Sequence, residues 1–278
     1  MYADDTTLMC SSNNASVLQS ELNENLSKIA SWFNENHLTL NIKKTKLMVF
    51  GTRYILDKFQ NISVSFNGDC IDNVDKFRYL GVTFDPLLSW CEHINYISSK
   101  ISQRIGLIRR IKFYLPSDVT NMLANALVMP HFDYCSPVWT NCNNALLNSL
   151  QIYQNRLARI LLSADIRTRI DDMMNSLNWV KLNKRWEKHL LVMLFKCLTH
   201  SAPSYLSSHF TYMQSVHSHS TRSQTSKCLL TPTWNIVSGK RTFHYRACNV
   251  WNNLPFSVRN ELLSMSLYSF NKCISDYI

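Results

Sequence analysis

Trp90, Ile94, Ile97, Ile101, Ile105 and Ile108 constrain this chain more than any other set of residues. Their steps of three and four place all six on one stripe of a helix, whereas a strand would divide them between its two faces. The spacing therefore predicts a long amphipathic helix beyond Pro86, with Ser89 able to cap its start. The opposite face carries Lys100, Arg104, Arg109, Arg110 and Lys112. A second ladder, Leu18, Leu22, Leu26, Ile29 and Phe33, predicts a helix over residues 14–35, capped by Asn13 or Asn14. Pro116-Ser117-Asp118 opens a third helix, which Pro130 limits. Further helices are expected from about Asn144 to Ser163, with Arg156 and Arg159 close together on it, from Asn183 to His200, and over Phe243–Asn252 and Ser266–Tyr277. Residues 201–241, rich in Ser, Thr and His, read as a long irregular connection.

Strand signals concentrate before Pro86. Thr6 to Cys10 and Lys46 to Phe50 read as strands. Ile62, Val64 and Phe66 alternate and run into Asn67-Gly68, a hairpin turn pair. Phe77 to Phe84 reads as one more strand with Gly81 in its middle, where a glycine marks a bend or a close backbone approach. The expected fold class is α+β, mainly α, with a small antiparallel sheet ahead of helical regions.

Hydrophobic residues make up 46% of the 278, enough for a buried core. No apolar run is long enough to span a membrane, and the acidic start does not read as an export signal, so an intracellular protein of nucleus or cytoplasm is expected, with no membrane partner. The net charge of +10 is unevenly spread. Residues 1–92 carry 8 basic against 11 acidic side chains, residues 93–170 carry 9 against 3, and residues 171–278 carry 12 against 5. An acidic front and a basic remainder fit a metal-binding region joined to a polyanion-binding one; an ordinary basic surface is the plainer alternative. The nine cysteines are odd in number and include no CxxC pair, which favours reduced thiols over a disulfide framework. Cys135 and Cys142 with His131 or His217/His219 match no common zinc spacing.

Asp4 and Asp5 bring in chemistry. Phosphoryl transfer at a 3′ hydroxyl uses two divalent ions held by carboxylates, and a tight turn can aim an adjacent pair at them. An acidic surface turn is the alternative for the pair taken alone. Three segments in order say more: Tyr2-Ala3-Asp4-Asp5-Thr6, then Leu38 to Lys46 with Lys44-Thr45 inside it, then Tyr79-Leu80-Gly81-Val82. Together they resemble the reverse transcriptases of LINE-type (non-LTR) retrotransposons. Trp90–Ile94, Pro130–Trp139, Phe243–Ala247 and Trp251–Pro255 look similar too.

The resemblance implies a role for each matching residue. Asp4 and Asp5 would hold Mg2+, Tyr2 would lie by the primer end, and Lys44 would lie near the incoming nucleotide's phosphates. Tyr79, Leu80, Gly81 and Val82 would form the hairpin that grips the primer, with Leu80 and Val82 packed inward. Residues 1–86 would be the end of the palm, 87–165 the thumb, and 166–278 a helical C-terminal region. An RNA template and DNA primer duplex is the implied partner; no protein partner is implied. Lys100, Arg104, Arg109, Arg110, Lys112, Arg156 and Arg159 suit its phosphates, and a solvated helix face is the alternative for each of them. Tyr134, Trp139, Trp179 and Trp186 have the types that stack on bases, but their setting favours core; His93 and His131 read as structural.

Fingers and the first half of the palm, which precede the Asp4-Asp5 turn in a complete enzyme of this family, have no counterpart in these residues. The isolated chain is therefore expected to bind Mg2+ weakly and to be inactive as a polymerase, with residues 1–5 poorly fixed. The alternative is a non-catalytic, basic nucleic-acid-binding module or an inert remnant of such an element.

Overall fold

A computed structural model describes residues 5–215, 227–263 and 265–277. Tyr2 and Asp4 lie outside the described residues, as does all but Asp5 of the start expected to be poorly fixed, residues 1–5. The elements run, in order, α1 (Ala15–Glu35), β1 (Lys46–Leu47), α2 (Arg53–Lys58), β2 (Ser65–Phe66), β3 (Asp69–Cys70), β4 (Asp72–Asn73), β5 (Phe77–Tyr79) and β6 (Val82–Phe84). Then come α3 (Cys91–Ile111), α4 (Ser117–Leu127), α5 (Met129–Asp133), α6 (Ser136–Trp139), α7 (Asn144–Leu162), α8 (Ile170–Ser176), α9 (Leu182–Leu198) and α10 (Ser204–Ser207). Finally come α11 (Val237–Lys240), α12 (Phe243–Asn253), α13 (Phe256–Leu262) and α14 (Leu267–Tyr277). Helix accounts for 59% of the structure and strand for 7%, the mainly α, α+β class expected from the pattern. No described helix is long and apolar enough to cross a membrane.

The chain divides into two compact units, residues 1–93 and 94–278. In the first, α1 lays Leu18, Leu22 and Ala30 against Phe59, Ile62, Val64, Phe66 and Ile71, with Leu26, Ile29 and Phe33 at the margin. Asn14 caps α1, its Oδ1 accepting from Ser16 N–H at 3.0 Å. Two α1 amides also brace the neighbouring segment: Gln19 Oε1 accepts from Ser63 N–H and Asn23 Oδ1 from Ser65 N–H, at 3.3 and 3.2 Å. These oxygens satisfy backbone donors that an edge would leave open.

Strand pairing is more divided than one small sheet. Two-residue strands β2 and β3 pair antiparallel around Asn67-Gly68, and β5 pairs antiparallel with β6, while β1 and β4 pair in parallel. Parallel neighbours need a crossover, here supplied by α2 and the first hairpin. Three expectations are corrected. Thr6 to Cys10 is irregular, with no ladder partner among the described residues, and an isolated extended segment gains no strand hydrogen bonds. The Lys46 to Phe50 strand stops at Leu47, where its partner β4 ends at Asn73. Phe77 to Phe84 is a hairpin and not a single strand, because Leu80 and Gly81 both take left-handed φ, 45° and 80°.

Asp85 organises the passage into α3. Its carboxylate accepts from Leu87, Ser89 and Trp90 N–H, at 3.2, 2.9 and 2.9 Å, and from the Ser89 hydroxyl. That bracing holds Leu88 and Trp90 at φ of 50° and 65°. Ser89 Oγ accepts from Cys91 N–H at 3.4 Å, near the capping position read from the sequence.

In the second unit all the isoleucines of the opening ladder except Ile97 are at most 1% exposed, and Ile97 is also buried. Asn143 caps α7. α9 packs with α12 and α14 around Leu190, Leu194, Phe195, Trp251, Phe270 and Ile274. The 201–241 connection is only partly irregular, since it holds α10, α11 and a bridge between Tyr212 and Leu229.

Candidate nucleic-acid interface

Asp5 is exposed, and no group of three or more His, Cys, Asp or Glu able to hold a metal ion occurs among the described residues. Asp4, the other carboxylate of the expected pair, lies outside the described residues. Lys44 is exposed in a turn built by Asn41. The Asn41 carbonyl accepts from Lys44 and Thr45 N–H at 3.1 and 3.0 Å, and its side-chain oxygen accepts from Lys44 N–H at 3.2 Å. The turn fixes the backbone and leaves the lysine side chain outward.

Tyr79 and Val82 close a two-residue hairpin turn. Val82 is buried, whereas Leu80 is 37% exposed at the tip, so only one of the two side chains expected to pack inward does so. A two-residue turn of this hand requires positive φ at both central positions. Gly81 adopts it freely; Leu80 adopts it against the contact between its Cβ and the backbone.

His93 braces this hairpin from below. Its Nδ1 accepts from Thr83 N–H at 3.4 Å, which requires that nitrogen to be unprotonated. Burial, with a further push from Arg78, lowers its pKa from 6.5 to about 4. His93 is therefore structural, as read from the sequence.

In the second unit Lys100 and Arg104 stand near His131, whose pKa is lowered by burial and then by these two cations. Arg109, Arg110 and Arg156 are exposed. Arg159 is half-buried, and its Nε has no hydrogen-bond partner among the described residues. Lys112 is engaged: its Nζ donates to the Ile160 carbonyl and to Ser163 Oγ, the latter at 2.8 Å. A cation on the last carbonyls of a helix also complements the helix dipole, so Lys112 secures the end of α7.

The aromatic residues divide as their setting suggests. Trp139, Trp179 and Trp186 are buried, and their indole N–H groups reach Tyr134 O, Asn125 Oδ1 and Phe132 O. Tyr134 is exposed beside an open depression of about 500 Å3 lined by Pro130, Pro137, His189 and Lys196, among others. Here Ser136, His189 and Asp133 adjoin: Ser136 Oγ lies 2.8 Å from His189 Nδ1, and His189 Nε2 lies 3.9 Å from Asp133. This is not a nucleophilic triad. Ser136 is 0% exposed, and Arg185 takes both Asp133 oxygens at 2.5 Å. Burial keeps His189 below its ordinary pKa despite Asp133.

Sequence reasoning missed several participants. Arg246 joins two of the family-like segments, donating to Pro137 O and Thr140 Oγ1 at 3.2 and 2.8 Å. Gln151 Oε1 accepts from Leu182 N–H at the start of α9, and Gln154 Nε2 donates to Val180 O, both at 2.9 Å. Arg167 and Arg169 are exposed beyond α7, and Phe113 and Tyr114 are bare at the end of α3. Only the cluster of arginines had a signal in the sequence, as charge density. The nine cysteines are free thiols, and burial pushes Cys248 up to about 12.

Residues 1–84 match the family model for reverse transcriptase (RNA-dependent DNA polymerase). The chain is similar to three curated proteins of mobile elements. It is 24% identical, over 68% of its length, to a probable RNA-directed DNA polymerase from transposon BS of Drosophila melanogaster. It is 26% identical, over 66%, to the RNA-directed DNA polymerase from mobile element jockey of the same fly. It is 21% identical, over 50%, to a retrovirus-related Pol polyprotein from type-1 retrotransposable element R1 2 of Nasonia vitripennis. The matched stretches span 21%, 20% and 35% of those proteins' lengths. No solved structure matches. Over part of its length, the chain is thus similar to reverse transcriptases of mobile elements.

Proposed function

We propose that this chain is the palm end, thumb and following region of an RNA-directed DNA polymerase, and that it holds the duplex of RNA template and DNA primer. The match of residues 1–84 to the reverse-transcriptase family carries the reading. In it, residues 1–86 end the palm, 87–165 form the thumb and 166–278 follow as a helical region. Asp4 and Asp5 are the metal-side carboxylates, Tyr2 lies by the primer end, Lys44 serves the nucleotide phosphates, and Tyr79–Val82 grips the primer. Lys100, Arg104, Arg109, Arg110 and Arg156 meet duplex phosphates; Lys112 and Arg159 contribute less directly, through the end of α7. Enzymes of this kind use divalent ions, and Mg2+ is the ion we assign. The 278 residues alone are assigned binding and not synthesis. Work on nucleic acid places the protein in nucleus or cytoplasm.

The test is binding of the purified chain to an RNA–DNA primer–template across rising salt. Affinity should fall steeply, and Gln at Arg104, Arg109 and Arg110 should each reduce the salt slope by about one. Salt-independent binding, or none at low salt, would refute the reading. Primer extension above that of D4A/D5A would refute the assigned inactivity.

A non-catalytic duplex binder is the second reading, favoured by the basic balance of residues 93–170, 9 basic against 3 acidic side chains. If a longer protein that adds fingers and the first half of a palm binds duplex yet extends no primer, this reading replaces the first.

A further inference from the structure

Phe113 and Tyr114 are 82% and 86% exposed, in the 3-10 turn Lys112–Tyr114 that ends α3. Aromatic rings are the largest contributors to a core, and this unit buries Trp139, Trp251 and Phe132 completely. Lys112 Nζ lies 5.4 Å from the Phe113 ring centroid, and two adjacent rings this exposed still leave faces open to an occupant outside the core. Their surroundings indicate its chemistry. Arg109 and Arg110 are exposed and precede the rings by three to five positions, close enough on a helical end to share a face with them. The bonds from Lys112 to Ile160 O and Ser163 Oγ bring the ends of α3 and α7 together. Exposed Arg167 and Arg169 follow Ser163 closely in the chain, with Ile166 81% exposed between. The carboxylate of this segment, Asp165, is turned to a backbone partner, accepting from Arg167 N–H at 2.8 Å.

Bare rings in a field of cations suit a polyanion that carries flat apolar faces. A second copy of the chain would bring like charge against like. A membrane surface would need a long apolar face, and the apolar face of α3 is buried from Trp90 to Ile108. In a duplex the base faces are already stacked on one another, so the rings have most to gain from an unpaired strand.

We propose that Arg109, Arg110, Phe113 and Tyr114 form a stacking platform for unpaired RNA, with bases on the two rings and phosphates on the arginines. The inference rests on the reading that the chain works on an RNA template, and it adds a contact to the strand not yet paired.

The experiment uses the full 278-residue chain, a short single-stranded RNA carrying one 2-aminopurine, the same strand as DNA, and the primer–template duplex. Both rings are exposed, so F113A/Y114A should keep the helical circular dichroism of the parent chain. It should weaken single-stranded RNA binding about tenfold or more and abolish the change in 2-aminopurine fluorescence, while duplex affinity stays within about twofold. F113Y/Y114F, which keeps both rings, should bind like the parent. R109Q/R110Q should weaken both RNA and duplex binding. Unchanged RNA binding by F113A/Y114A with duplex still bound overturns this inference alone, as does an equal loss for duplex. Tighter binding of the DNA strand, or a dimer that F113A/Y114A dissolves, also overturns it. If the parent chain binds neither strand nor duplex, the functional reading falls first and this inference with it.

Discussion

Two hairpins in the first unit make the same turn with different residues. β2–β3 turns through Asn67-Gly68, at φ of 51° and 91°, and β5–β6 through Leu80-Gly81, at 45° and 80°. Asn-Gly is the pair this turn favours, because asparagine tolerates left-handed backbone and glycine has no Cβ to clash. Leucine at the same place costs roughly 1–2 kcal/mol. The first turn is thus explained by stability alone. The second places an apolar residue with left-handed backbone at its tip, where it is 37% exposed. The braces differ as well: a carboxamide, Asn23, supports the first hairpin, and a titratable ring, His93, supports the second.

That difference should be largest under acid. His93 has its pKa lowered from 6.5 to about 4 in the folded chain. Above 6.5 the ring is neutral in both states and its full contribution to stability is present. As pH falls below 6.5 the unfolded chain takes up a proton that the folded chain refuses, so stability declines until about pH 4 and then levels. The total loss is up to about 3 kcal/mol. Urea unfolding of the parent chain and of H93N should separate the effect, since an amide oxygen still accepts from Thr83 without titrating. An equal acid slope in both would remove His93 from the account.

Next in size, G68A and G81A should each cost about 1–2 kcal/mol by the same assay, because both glycines have positive φ. At Gly68 a Cβ would meet nothing within 4 Å, so the cost there is one of backbone conformation alone. A negligible loss at either position would show that the two turns are not alike.

Smallest, L80N should gain about 1 kcal/mol or less and N67L should lose a similar amount. The exchange becomes informative when binding is measured beside stability. L80N is expected to be more stable yet to hold primer–template duplex less well. Gained stability with unchanged binding would remove Leu80 from the proposed primer contact.

The sequence could be read wherever one local period governed. The isoleucine ladder of α3 and the leucine ladder of α1 declared their faces, and Asn67-Gly68 declared its turn. Leu80-Gly81 did not: Leu80, Val82 and Phe84 keep a two-residue alternation through the reversal, so the pattern alone describes one strand. Bonds between distant positions left no trace either. Nothing near Lys112 announces that its charge is held by a helix end 48 residues away, nor near Asp133 that Arg185, 52 residues on, claims both its oxygens. Of the candidate site, residue type and order carried the family, while exposure at Lys44, Leu80, Arg109 and Arg110 came only with the fold. Phe113 and Tyr114 were missed because a bare ring and a buried one look alike in a sequence.

The Asp85 carboxylate bears finally on the order of folding events. Every bond it accepts comes from within five residues of itself. Loops of that size close in about 10–100 ns, a helix such as α3 forms in about 0.1–1 μs and a hairpin in about 1–10 μs. The joint at the start of α3 can therefore set before β1 finds β4, a pairing that must span the 26 residues from Lys46 to Asp72. Residues 77–93 are placed to become ordered early, with the rest of the first unit assembling later.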